Sequence, residues 1–408
     1  MTYLFTGGRI LDAEAGVLRD GLDVLVSGDR IAEVGASIAA PADATVIDLA
    51  GKVLMPGLID CHVHVVAETL DLWGNMIAPS SLAALRSARV MAEALQRGFT
   101  TLRDLGGADY GLVRAVNEGL IDGPRLVICG KGLTTTGGHA DLRPRTDDRP
   151  GIFSDRLGSM GLIVDGIDNV RAACRTMIKE GANFIKVMAN GGVSSPNDPI
   201  HSIQYSRDEI LAMVEEADNA GLYVAAHVYT DKAIARCVEL GVHSLEHCNL
   251  IEPETARKAA EKGCIAVPTL VAYDALHIEG EALGLGAAEF AKIDVVRSGG
   301  LRSLEVMRDA GLPMAFGSDL LGQLRRYHGM EFELLANVLS PAEIIRSATM
   351  IGARLCRLEG QAGVIAAGAF ADLLVVDGDP LSDITLLQDD GAHMPVIMAN
   401  GRFAKRAI

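Results

Sequence analysis

Between residues 57 and 357 the chain repeats one phrase: a helix-length amphipathic segment, a glycine, then a short apolar run. Such a switch between a 3.6-residue period and continuous apolar runs is the pattern of helices alternating with buried parallel strands. The apolar runs fall at 58–64, 100–104, 125–130, 184–189, 223–227, 243–247, 265–269 and 314–319, eight in all. Amphipathic segments at 81–96, 167–180, 207–219, 231–240 and 252–262 lie between them. Gly98, Gly181, Gly221, Gly241, Gly263 and Gly311 stand where helices should stop, because glycine takes the left-handed turn that ends a helix without a Cβ clash. Eight such units predict an α/β fold, a (β/α)8 TIM barrel over 57–357. Residues 3–56 and the tail beyond 370 have another texture, short strands broken by Gly7-Gly8, Ser27-Gly28-Asp29 and Asp377-Gly378-Asp379-Pro380. The two ends, 1–56 and 358–408, are expected to form one small discontinuous β-sandwich.

With 49% hydrophobic and 22% charged residues, 408 positions are enough for a barrel of roughly 250 residues plus a second unit. A formal charge of −16 repels a phosphate backbone, and no Lys/Arg cluster is longer than Arg325-Arg326, so nucleic acid is not an expected partner. No apolar stretch reaches the roughly 18 residues of a membrane helix, and no basic segment with an apolar run follows Met1. The seven cysteines are odd in number, scattered and free of any CxxC pair, which suits a reducing compartment. A cytoplasmic protein without a membrane partner is expected. No GxSxG elbow, GxGxxG or P-loop pattern occurs, so serine-hydrolase and nucleotide-binding chemistry lack support.

The candidate chemistry lies at the ends of the apolar runs. His62 and His64, in Asp60-Cys61-His62-Val63-His64, share one side of a strand because side chains alternate with period two. Alone, such a pair is equally two solvated polar residues. His227 closes Val224-Ala225-Ala226-His227, His247 closes Ser244-Leu245-Glu246-His247, and Asp319 closes Gly317-Ser318-Asp319. Barrel enzymes place their reactive groups at those carboxyl ends, so convergence on one rim favours a metal site. Lys186 sits within Phe184-Ile185-Lys186-Val187-Met188, where an ammonium must snorkel to the rim, pair with an acid such as Asp104, or be modified.

Taken together, Met55-Pro56-Gly57-Leu58-Ile59-Asp60-Cys61-His62-Val63-His64, the fourth-run lysine, the fifth- and sixth-run histidines, Gly317-Ser318-Asp319 and the tail from Gly363 to Pro380 resemble the amidohydrolase superfamily over nearly the whole chain. The sequence is most similar to the imidazolonepropionase-related branch, with its metal-dependent Xaa-Pro dipeptidases, dipeptide carboxypeptidases and ochratoxin-type amidases. That resemblance implies two divalent ions, usually zinc, held by His62, His64, Lys186, His227, His247 and Asp319, with Lys186 N-carboxylated so that an anion joins the cations. It implies that a bridging hydroxide attacks, that Asp319 passes the proton to the leaving amine, that His139 binds the substrate carbonyl, and that Tyr229 reaches the same region or the substrate carboxylate.

The reaction this implies is hydrolysis of the amide bond of a dipeptide or N-acyl amino acid by a homo-oligomer. Cyclic-amide hydrolysis and heterocycle deamination are the alternatives; imidazolonepropionases proper resemble a mononuclear site without the lysine, so Lys186 argues against that activity. A non-catalytic scaffold fits the full ligand set poorly. Two loops are expected to choose the substrate. The glycine- and proline-rich stretch 191–199 is long enough for a lid, and 322–331 carries Arg325, Arg326 and His328. A guanidinium there could hold a carboxylate bidentately, against the competing reading that these arginines pair with surface acids.

Overall fold

The computed structural model describes residues 1–151, 153–193 and 197–408. Strands Leu58–Val63, Phe99–Asp104, Arg125–Ile128, Ile185–Met188, Val224–Thr230, Ser244–Leu250 and Ile265–Val267 run parallel. All six residues of Phe99–Asp104 and all four of Ile185–Met188 are buried. Helices cover the outer face of a barrel and side chains fill its interior, so the strands read as apolar runs rather than as alternating patterns.

Two of the eight expected strands differ from the sequence reading. The third breaks after Ile128, turns at Gly130 with φ 72°, and resumes as Gly132–Thr134, which pairs with Ile185–Met188 and with an added strand, Gly161–Ile163. The eighth, 314–319, is barely a strand: Met314 makes an isolated bridge to Ala266. Cys61 N to Phe316 O (2.8 Å) and Ala315 N to Ala266 O (2.9 Å) nevertheless close the barrel. Gly317 leaves no room for a side chain, since a Cβ there would lie 2.4 Å from Val267. Asp319, at φ 51°, lies in the left-handed region, which ends any regular ladder. Two helices after the seventh strand, Leu270–Glu279 and Ala287–Asp309, were not expected. Leu270–Glu279 has buried residues on nearly every side and so shows no amphipathic period.

The termini build two further sheets. Thr2–Thr6, Asp23–Ser27, Arg30–Gly35 and Thr45–Asp48 form one; Arg9–Asp12, Val17–Asp20, Val53–Pro56, Leu373–Val376, Val396–Ala399 and Arg402–Arg406 form the other. Their shared core includes Phe5, Val24, Ile31, Leu54, Leu373 and Val375. Leu373 opposes Pro56 across an antiparallel ladder, so the C-terminal segment holds the strand that leads into the barrel. Gly57 makes that junction possible, because a Cβ there would stand 2.1 Å from Thr100 Oγ1. The fold is a (β/α)8 barrel with a small discontinuous sheet domain, and the first barrel strand enters it from that domain.

Candidate metal centre

Three of the rim histidines have defined tautomers because their partners can only accept. His64 Nδ1 lies 3.0 Å from Gly106 O and His62 Nδ1 lies 2.9 Å from Glu246 Oε2. Both rings therefore donate from Nδ1 and keep the Nε2 lone pair for the cavity. His227 is held the other way, Nε2 lying 3.3 Å from Gly191 O, which leaves Nδ1 as its lone pair. His247 Nδ1 meets Thr269 Oγ1 at 2.8 Å. A protein hydrogen-bond partner behind each imidazole is the usual support of a metal-ligating histidine.

In front, Asp319 Oδ1 lies 3.5 Å from His62 Nε2 and 3.4 Å from His64 Nε2. Ligand atoms of these three residues lie within 4.8 Å of one another. The ring centroids of His247 stand 4.9 Å from His62 and 4.7 Å from His227. His62, His64, Lys186, His227, His247 and Asp319 all line one cavity.

The electrostatics suit cation binding. Burial pushes His227 and His247 well below the ordinary imidazole range, so both stay neutral and could serve as ligands. Burial opposes ionisation of Asp319, but His62 and His64, when protonated, hold its carboxyl below the usual range. At Lys186, burial lowers the ammonium's affinity for its proton against the pull of Glu246 and Asp319. The pairing of Lys186 with Asp104 weighed from the sequence is not made. Asp104 accepts instead from the backbone amides of Val65 (2.7 Å), Gly106 (3.0 Å) and Ala108 (3.1 Å).

Beneath the ligands lies a fully buried ion pair that sequence reasoning missed. Arg103 reaches Glu246 Oε1 at 3.2 Å from both terminal nitrogens and also donates to Cys61 O, Ser244 Oγ and Tyr223 OH. Glu246 in turn holds His62. Every polar hand is thus occupied, which offsets the desolvation of two charges inside a barrel. The available signal was a charge inside each of two apolar runs. Asp60 plays a similar part on the other side, accepting from His62 N, Ser318 N and Ser318 Oγ and meeting His328 Nε2 at 2.8 Å. It ties the first strand to the segment that carries Asp319.

His139 stacks on His227 with centroids 4.2 Å apart, and its Nδ1 is 3.3 Å from Asp198 Oδ2. Gly192 permits this approach, since a Cβ there would stand 2.0 Å from that nitrogen. Tyr229 packs 4.7 Å from His227 and 5.1 Å from His247, and Tyr273 OH donates to its oxygen at 3.0 Å. The structure therefore brings both candidates to the cluster. In the expected lid, Ser194, Ser195 and Pro196 lie outside the described residues, while Gly191 and Gly192 serve the histidines.

The structure does not bring Arg325, Arg326 or His328 to the cavity. Arg325 donates to Ala67 O at 3.0 Å, Arg326 pairs with Glu279, and His328 stacks on Phe99 behind Asp60. Gly322, at φ 56°, bonds Ala67 O at 3.0 Å and turns that loop over the first one, away from the opening. Besides Lys186, Arg143 and Arg149 line the cavity, from a stretch the sequence reading left without a role.

The amidohydrolase family pattern matches residues 53–402, which spans the barrel and the strands of the sheet domain that flank it. The chain is 32% identical to the ochratoxinase of Aspergillus niger over 356 residues, 83% of this chain and 73% of that one. Among solved structures, an amidohydrolase superposes with a TM-score of 0.97 at 47% identity, covering 100% of this chain and 99% of its own. A prolidase complexed with N-methylphosphonate-L-proline gives a TM-score of 0.97 at 46% identity over the whole of both chains. With the family pattern matched over most of its length, the chain belongs to the amidohydrolase family.

Proposed function

We propose that the protein is a binuclear metal-dependent amidase that hydrolyses the amide bond of a dipeptide or N-acyl amino acid, with zinc as the resident cation. Family membership carries amide hydrolysis in general; the finer reading rests on the cluster at the barrel mouth. The observation that carries it is the fixed orientation of the rings, which leaves lone pairs of His62, His64 and His227 to face the one opening that also holds Asp319 and Lys186. Imidazole and carboxylate donors around an open position suit zinc in a catalytic role. Two such ions would supply a water ionised near neutral pH and a polarised scissile carbonyl.

The chain's own groups then have defined tasks. His62, His64 and Asp319 would hold one cation, His227 and His247 the other. Burial favours the neutral amine of Lys186, the form that adds CO2 with loss of a proton to give an anionic carbamate between the two sets. Asp319 is low enough in proton affinity to stay ionised and to accept a proton as the nucleophile attacks, then hand it to the leaving nitrogen. His139, at the edge of the cluster, would donate to the developing oxyanion. The names of the relatives, a prolidase and an ochratoxinase, point to substrates with a free carboxylate on the amine side of the bond. Xaa-Pro, Xaa-Arg, Xaa-Lys and N-acyl-Phe compounds assayed on zinc-loaded protein test the reading. Release of the C-terminal amino acid from at least one class is expected, and failure on all of them overturns it.

A further inference from the structure

The cavity is open to solvent and has two unlike halves. Its floor is the polar cluster. Its outer wall comes from helix Leu72–Ile77 and from residues within 141–151 and 153–163, and bears Trp73, Met76, Leu142, Phe153, Met160 and Leu162. The Trp73 and Phe153 rings meet edge to face, with centroids 6.4 Å apart at 83°, and Arg156 lies 4.5 Å over the Phe153 ring.

This wall is firmly built. Gly158 presses on the helix so closely that a Cβ would stand 1.9 Å from Asn75 O. Arg156 donates to Ile77 O, and Lys131 Nζ donates to Arg156 O (2.8 Å) and Ser159 O (2.5 Å). Gly132 N bonds Met160 O at 2.9 Å. Trp73 and Phe153 are nonetheless only half-buried, and two large rings left partly in water at the mouth of a reactive cavity are a surface for an apolar ligand group.

Charge decides which half of a substrate belongs there. Arg143 is bidentate on Asp141 (2.8 and 2.7 Å) and donates to Arg149 O (2.7 Å), while Arg149 is bidentate on Asp147 (2.8 and 2.6 Å). Both guanidiniums are already matched by carboxylates, so a substrate carboxylate placed in this chamber would lose its water for little return. The uncharged half of the substrate has no such cost. We propose that the outer chamber selects substrates whose acyl half carries a large apolar, preferably aromatic, group, with Trp73 and Phe153 as the specificity-determining residues. This rests on the amidase reading above and names the substrate class of that site.

The test compares kcat/KM within two matched pairs, Ala-Pro against Phe-Pro and N-acetyl-Phe against N-benzoyl-Phe. The aromatic acyl member of a hydrolysed pair should lead by roughly tenfold or more, the scale of a filled against an unfilled apolar pocket. Trp73→Ala and Phe153→Ala should each shrink that ratio by about threefold or more, and Trp73→Phe, which keeps a ring and remains informative if the alanine variant fails to fold, should retain most of it. A ratio near one in the wild type, or a ratio that none of the three variants moves, overturns the proposal. Should neither pair be hydrolysed, the chamber is tested separately by the emission of Trp73, the chain's one tryptophan. Saturable change with N-benzoyl-Phe but not N-acetyl-Phe supports the chamber, and equal or absent change with both refutes it.

Discussion

The barrel rim and the terminal sheet domain are made of equally short apolar strands, yet they use them in opposite ways. In the sheet domain the buried set is almost wholly aliphatic and aromatic, and non-glycine residues with positive φ, such as Ser37, Ala50 and Asn400, fall in turns. At the rim, His247 (φ 75°), Cys248 (58°), Thr269 (52°) and Asp319 (51°) adopt left-handed backbone at or beside the candidate ligands, and Arg103, Asp104, Lys186 and Glu246 are buried. Backbone strain and buried charge each lower stability. Their concentration in one place, above a regular barrel and beside a regular sheet domain, marks where the chain gives up stability for chemistry.

That contrast yields predictions that separate activity from stability. The largest effect should come from Asp319→Asn, which keeps the shape but removes the proton acceptor. Turnover should fall by about 10² to 10⁴, the usual worth of a placed general base, while metal content measured by atomic emission is largely retained. Arg103→Met should next strand Glu246 without its partner, costing about 3–5 kcal/mol in denaturant unfolding and weakening metal binding roughly 10- to 100-fold through the loosened His62. In the sheet domain, Leu373→Ala should cost about 2–5 kcal/mol by the same unfolding assay and leave kcat per folded molecule unchanged. A large loss of kcat there would erase the division between the two regions.

The smallest expected effect concerns pH. Glu331 is buried beneath helix Leu270–Glu279, accepting from Leu270 N (3.2 Å) and Val271 N (2.6 Å), and burial raises its carboxyl from 4.5 to about 8. The folded protein thus keeps a proton that the unfolded chain releases, so this contribution is complete below pH 4.5 and is lost as pH rises towards about 8. Glu331→Gln, which keeps an oxygen acceptor, should raise Tm by a few degrees at pH 8 and leave it nearly unchanged at pH 4.5. An equal shift at both values would show that packing rather than ionisation is responsible.

Much of the rim was legible because each strand-end residue is announced by its own short run: the alternation that pairs His62 with His64 and the apolar steps before His227, His247 and Asp319 are local signals. What escaped depends on partners distant in sequence. Arg103 and Glu246 lie 143 residues apart, and only the closed barrel shows that each is the other's counter-charge. The segment 141–163 has no periodicity to read, so the wall carrying Phe153 was invisible although its length exceeds an ordinary βα connection. Arg325 and Arg326 follow the eighth apolar run, where a carboxylate contact and a surface ion pair look alike in sequence. The turn at Gly322 sends them elsewhere, and no local feature but the glycine hinted at it.

The account rests on two cations gathered by these side chains. Chelator-stripped protein titrated with zinc, with amidase activity followed at each addition, tests it most directly. Activity should be absent at the start and should level off at about two equivalents per chain, with carbonate required for the full rate if Lys186 bridges as a carbamate. Full activity without metal, or saturation at a single equivalent, would contradict it.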